Sequence, residues 1–130
     1  MKHHEQAIQL LQKADQDLTV VEKWRTDPDI AAEVLGFHAQ QAAEKMLKAV
    51  LAHHQIEFPF THRLADLIDL LKEQGKAYPD ELDEVRYLTP FAVEFRYDFY
   101  PTEGEEPFDA EAALVLLRKL RAWAIEMIKP

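Results

Sequence analysis

Between residues 5 and 25 the apolar positions Ala7, Ile8, Leu11, Ala14, Leu18 and Val21 recur at helical spacing, while Glu5, Gln12, Asp15 and Glu22 fall mostly elsewhere. That separation of faces predicts an amphipathic helix. Thr26-Asp27-Pro28-Asp29 then supplies a turn with capping side chains, and a proline is welcome in the first turn of the helix that follows. From about Ile30 to His54 nothing interrupts a helical pattern except Gly36, tolerable at a cost of about 1 kcal/mol relative to alanine. Leu35, Ala39, Ala42, Ala43, Met46 and Val50 share one arc of this long second helix, which is its expected core face.

Pro59, between Phe58 and Phe60, ends that helix, and Thr61 is placed to cap the next. Leu64, Leu67, Ile68 and Leu71 are spaced i, i+3, i+4, i+7, with Gly75 where a C-terminal cap belongs. Pro79-Asp80 opens a fourth helix, with Asp80 as cap and Leu82, Val85 and Leu88 inward, until Pro90 kinks or restarts it towards Tyr97. The alternation of Val93, Phe95, Tyr97 and Phe99 also fits a strand, but a lone strand would leave its backbone unpaired, so helix is preferred. Residues 101–108 are expected to form an acidic, proline-flanked loop. A last helix begins at Asp109, with Leu114, Leu117, Leu120, Ala124, Ile125 and Ile128 on one side, widened by Leu116, Trp123 and Met127. The expected fold is all-α, an up-and-down antiparallel bundle of about five helices in a single domain spanning residues 1–130.

Composition narrows the chemistry. The 130 residues carry 15 Lys and Arg against 24 Asp and Glu, a net charge of −9, which repels a phosphate backbone at long range and leaves nucleic-acid binding to a local pocket. There is no cysteine, hence no thiolate metal site or cysteine nucleophile, and three glycines cannot build a phosphate-binding loop. The six histidines form no strong metal spacing, so no metal or other cofactor is expected. His53 and His54 suit a helix C-terminus, and His62 is placed to fix the turn after Thr61. No apolar run is long enough for a membrane span and Met1-Lys2-His3-His4-Glu5 does not resemble a signal peptide, so a cytoplasmic chain without membrane contact is expected.

Two places stand out. Phe37, Gln41, Glu44 and Lys48 are spaced i, i+4, i+7, i+11 and form a stripe opposite the core face of the second helix. A neighbouring helix could cover Phe37 while Glu44 and Lys48 form an ordinary surface pair; alternatively the stripe is one wall of a site. The second place is Glu94-Phe95-Arg96-Tyr97-Asp98-Phe99-Tyr100-Pro101, within a stretch that holds more than half of the aromatic residues. Here Arg96 can grip phosphate in a fork while Tyr97 and Tyr100 offer faces and hydroxyls, or it can simply pair with Asp98 or Glu94.

The run Phe37-His38-Ala39-Gln40-Gln41-Ala42-Ala43-Glu44-Lys45-Met46-Leu47-Lys48-Ala49 resembles the second helix of HEPN domains. Thr61-His62-Arg63-Leu64 with Leu67 resembles the start of that family's next helix, and Arg96-Tyr97 its arginine-tyrosine pair, in family order. The resemblance implies a helical bundle that dimerises, with the polar stripe and the arginine motif meeting near the dimer cleft. It also implies either a metal-independent endoribonuclease or a partner of a small nucleotidyltransferase in a toxin–antitoxin-type pair. The family's ribonuclease motif requires a histidine at positions 101 to 103, which here hold Pro101, Thr102 and Glu103. Loss of an acid–base imidazole costs about 10² to 10⁴ in rate. The reading is therefore a nucleotide- or RNA-binding module without robust catalysis, with Gln41, Glu44, Lys48, Arg96, Tyr97, Asp98 and Tyr100 as site residues. Arg96 is the one catalytic candidate if the chain is instead a divergent endoribonuclease, and a non-catalytic structural subunit is the third alternative.

Overall fold

A computed structural model describes residues 2–91 and 108–129. Helix α1 runs over Lys2–Trp24, α2 over Ala32–His53, α3 over Leu64–Glu73 and α4 over Ala110–Met127, with a 3₁₀ segment at Asp80–Phe91. The architecture is the expected all-α bundle of five helical elements, without a strand among the described residues. No helix among them is long and apolar enough to cross a membrane. The expected continuation towards Tyr97, the rival strand and most of the acidic loop lie outside the described residues.

Helix α2 is the axis. It touches every other element and is buried on almost all sides, with Ala39, Ala42, Ala43, Met46, Leu47, Ala49 and Val50 fully enclosed. Its alanines let neighbouring backbones come close, while Leu11, Leu18, Leu67, Ile68, Leu71, Leu114, Leu117 and Leu120 fill the spaces between. Ion pairs and one hydrogen bond give the directions. Asp15 meets Arg121, Glu22 meets Arg118 and Arg25 meets Glu111, so α1 and α4 are antiparallel; Asp17 reaches Lys45 and His4 reaches His53, so α1 and α2 are antiparallel too. One expected core residue differs: Ile8 is exposed, because Ala7, Leu11, Ala14, Leu18 and Val21 already complete the stripe and Ile8 projects about 100° away.

The segment after Pro79 is not the α-helix the spacing suggested. Leu82, Val85 and Leu88 are buried at strict intervals of three, and Phe91, half-buried, follows at the same interval. A helix of three residues per turn aligns such a row on one edge, whereas 3.6 residues per turn would wind it around the axis. Tyr78 anchors the start by donating its hydroxyl to the Leu82 carbonyl at 2.7 Å, and burial pushes that hydroxyl's pKa well up. Its ring packs edge-on to Trp123, whose indole N–H donates to the Ala77 carbonyl.

The helix ends show where local rules held and where packing replaced them. Asp109 caps α4 by accepting from the Ala112 amide, and Gly75, at φ +74°, closes α3 with paired hydrogen bonds from Gly75 to Lys72 and from Lys76 to Leu71. The expected caps of α2 and α3 are different. Asp27 accepts from the Asp29 amide within the turn, and α2 starts from Ala31 without a side-chain cap. Thr61 accepts from the Arg63 amide and donates to Asp66, while the first amide of α3, Leu64, donates to the hydroxyl of Thr89 at 2.9 Å. A residue 25 positions away supplies what a local cap usually provides. Gly36 is required by packing, because a Cβ there would stand 2.7 Å from the Phe91 ring.

Candidate functional site

The polar stripe of α2 converges on one buried carboxylate. Glu44 is 5% exposed and Gln40, one turn earlier, is fully enclosed. Glu44 Oε1 accepts from His62 Nδ1 at 2.7 Å and from Gln40 Nε2 at 3.1 Å, and Oε2 accepts from Lys48 Nζ at 3.0 Å. Gln40 also donates to the His62 carbonyl at 3.0 Å, and Gln41 donates to Gln40 Oε1 at 2.8 Å. Helical geometry brings Gln40, Glu44 and Lys48 into line, and the loop after α2 returns His62 to meet them.

Burial alone would raise the Glu44 pKa, but hydrogen bonds from His62, Gln40 and Lys48, with the charge of Lys48, outweigh it and hold the carboxyl below its ordinary value. The group is an anion with every donor supplied internally. It is built to hold His62 and Lys48 in place, and the Glu44–Lys48 pair is not the ordinary surface pair that spacing alone allowed.

Beside this network stands an aromatic surface. Lys48 Nζ lies 5.7 Å from the centre of the Phe58 ring and 5.9 Å from that of Phe60, and His62 meets Phe60 edge-on at 5.8 Å. Phe60 is 94% exposed. Leaving such a ring in water forgoes about 1.5 to 3 kcal/mol of burial. Phe37, at the other end of the stripe, is half-buried and packs edge-on to His38.

Of the sequence-derived site residues, the structure brings together Gln41, Glu44 and Lys48. Arg96, Tyr97, Asp98 and Tyr100 lie outside the described residues. The chain leaves and re-enters the described part at one point, since Phe91 and Phe108 pack edge-on with ring centres 5.0 Å apart. Sequence reasoning underrated Gln40 and His62. The family-like Thr61-His62-Arg63-Leu64 run was the available signal for His62, whereas nothing local marks Gln40 as more than one of two adjacent glutamines.

His4, His53 and His54 join helix ends. His54 donates Nε2–H to the Met127 carbonyl, tying the end of α2 to the end of α4, and His4 and His53 share a hydrogen bond of 3.2 Å. Burial, with the neighbouring His54 and His4, lowers the His53 pKa, and burial with Lys76 lowers that of His54. Both shifts disfavour the charged imidazole and so weaken the dipole-compensating role suggested by their position. Among the described residues no three His, Asp or Glu side chains are placed to hold a metal ion.

Comparison with curated proteins and with solved structures gives no significant match. Comparison with protein families matches the HEPN domain over residues 7–128, which takes in the α2 stripe, the Thr61-His62 run and the Arg96-Tyr97 pair. The fold, the motif order and this match agree, and the chain belongs to the HEPN domain family, a nucleotide- and RNA-related family of helical bundles.

Proposed function

We propose that this protein is a nucleotide- or RNA-binding regulatory module that acts in the cytoplasm as a homodimer beside a small nucleotidyltransferase, in a toxin–antitoxin-type pair, without robust catalysis of its own. The observation that carries this reading is the HEPN match running through an arginine-tyrosine pair that lacks a histidine at positions 101 to 103. In it Arg96 holds phosphate, Tyr97 and Tyr100 stack or hydrogen-bond, and Asp98 orients the arginine. Gln41 and Lys48, both half-buried, form the opposite wall, with Glu44 behind them as the group that positions Lys48.

Calorimetric titration with nucleotides tests it. Binding is expected for the wild type and is lost in Arg96→Ala while the circular dichroism spectrum stays helical; unchanged binding in that variant removes Arg96 from the site.

One observation favours a second reading, a divergent metal-independent endoribonuclease. His62 is an imidazole oriented by a carboxylate at 2.7 Å, the arrangement of a general acid–base pair. Incubation with RNA in the presence of a chelator separates the two, since cleavage that depends on both Arg96 and His62 establishes the enzyme and its absence ends that alternative.

A further inference from the structure

We propose that the surface at the start of α3 binds unpaired RNA, with the rings of Phe60 and Tyr87 as base-stacking platforms and Arg63 between them in the chain as the phosphate contact. This rests on the nucleotide- or RNA-binding reading and adds a substrate class and a set of residues that reading leaves open.

Phe60 and Tyr87 are the two most exposed large apolar side chains among the described residues, at 94% and 70%. Neither position is incidental. In the 3₁₀ segment the outward edge reads Glu81, Glu84, Tyr87, Pro90, so an aromatic ring stands where the same edge otherwise carries carboxylates. Phe60 is held outward by what flanks it. Pro59 restricts the backbone before it, and two residues later His62 is fixed at its carbonyl by Gln40 and at its ring by Glu44. A ring presented on an anchored backbone loses little freedom when a base stacks on it.

Leu64, four residues after Phe60, donates its amide to Thr89, which draws the 3₁₀ segment that carries Tyr87 against the start of α3. There Arg63, Ala65, Arg86, Tyr87, Thr89 and Pro90 wall a hollow of about 300 Å³. Arg86 is committed to Asp69 and Asp83. Arg63 is not: its side chain is 69% exposed and its ion pair with Asp66 is stretched to 4.0 Å, so its fork can turn to a phosphate with little lost.

Exposed rings beside a loosely paired guanidinium are the chemistry that reads single strands, whose bases present open faces, rather than duplexes, whose bases are already stacked. Two platforms suit two bases of one strand better than one mononucleotide. Arg63, which stands between them in the chain, adds a charged fork for a phosphate, a partner that an apolar protein surface does not offer. The net charge of −9 opposes long-range capture, so stacking must supply the affinity and its salt dependence should be shallow, near one phosphate contact, or a log–log slope of about −0.7.

Fluorescence anisotropy with a labelled, unstructured oligouridine, in chelator and across a salt series, tests the proposal on the full chain. The wild type binds with the shallow slope; Phe60→Ala and Tyr87→Ala each weaken binding about 5- to 150-fold with unchanged circular dichroism, Phe60→Trp restores it, and Arg63→Ala flattens the slope. Wild-type binding untouched by both ring variants overturns the platform, and if Arg96→Ala abolishes binding in the same assay the nucleotide-binding reading survives without it. Ring-dependent binding that persists in Arg96→Ala upholds the platform and removes Arg96 instead. A wild type that binds no oligouridine overturns the proposal, as does sedimentation showing that Phe60→Ala dissolves a dimer without altering RNA binding.

Discussion

The bundle contains the same chemical cluster twice, a carboxylate held by an imidazole and an ammonium, and uses it in two ways. In the first, Asp17 of α1 accepts from His38 Nδ1 at 2.9 Å and Lys45 Nζ at 2.5 Å, both carried by α2 two turns apart. In the second, Glu44 of α2 accepts from Lys48 on the same helix and from His62 on the following loop, with the fully buried Gln40 as a further donor. The first joins two helices that apolar packing already positions through Leu11, Ala14, Leu18 and Ala42. The second joins a helix to an irregular segment whose backbone has no regular hydrogen-bond ladder of its own. The contrast shows that a polar cluster matters most where the backbone cannot satisfy itself, because there it determines the shape of the chain.

Removing each carboxylate should separate the two clusters. Glu44→Ala leaves the Lys48 ammonium without its acceptor and the enclosed Gln40 amide with the His62 carbonyl alone, so a loss of about 3 to 5 kcal/mol in urea unfolding is expected, with the Leu64 amide at the start of α3 losing hydrogen-exchange protection first. Asp17→Ala should cost less, about 1 to 3 kcal/mol, because His38 and Lys45 are each about a quarter exposed and can turn to water; equal losses would mean that both clusters only fasten packing. Protonation is the gentlest probe. The folded-state pKa of Glu44 lies below its ordinary value of 4.5, so its contribution is complete above that value and is lost as pH falls through the lower folded value. Between neutrality and acid, wild-type stability should therefore fall more steeply than that of Glu44→Gln, and parallel curves would show that the carboxylate is not specially held.

Much of the fold was legible because helical periodicity is local. Leu64, Leu67, Ile68 and Leu71 needed only their own spacing to define α3, and Asp109 and Gly75 needed only their own side chain or its absence to end a helix. What failed, failed where a distant partner intervened. Thr61 looked like the cap of α3, yet Thr89 takes the amide that matters. The three-residue interval of Leu82, Val85 and Leu88 was visible but was read as α-helical, since only the packed neighbours show that a three-fold edge is what fits. The stripe of Gln41, Glu44 and Lys48 was recognised as unusual, but the burial of Glu44 was not, because it depends on how the loop after α2 folds back onto the helix.

Sequence by itself determined the class of fold, the order of the elements, the apolar faces and, through three short motifs, the family, all of which follow from side-chain periodicity and residue identity along a single segment. Tertiary structure alone decided that Glu44 is an internal anchor, that His62 and Gln40 complete it, and that Phe60 and Tyr87 are left facing outward around Arg63. These depend on which surfaces meet when the chain closes on itself, and the free energy of a buried charge or an exposed ring is set by those neighbours rather than by the residue that carries it.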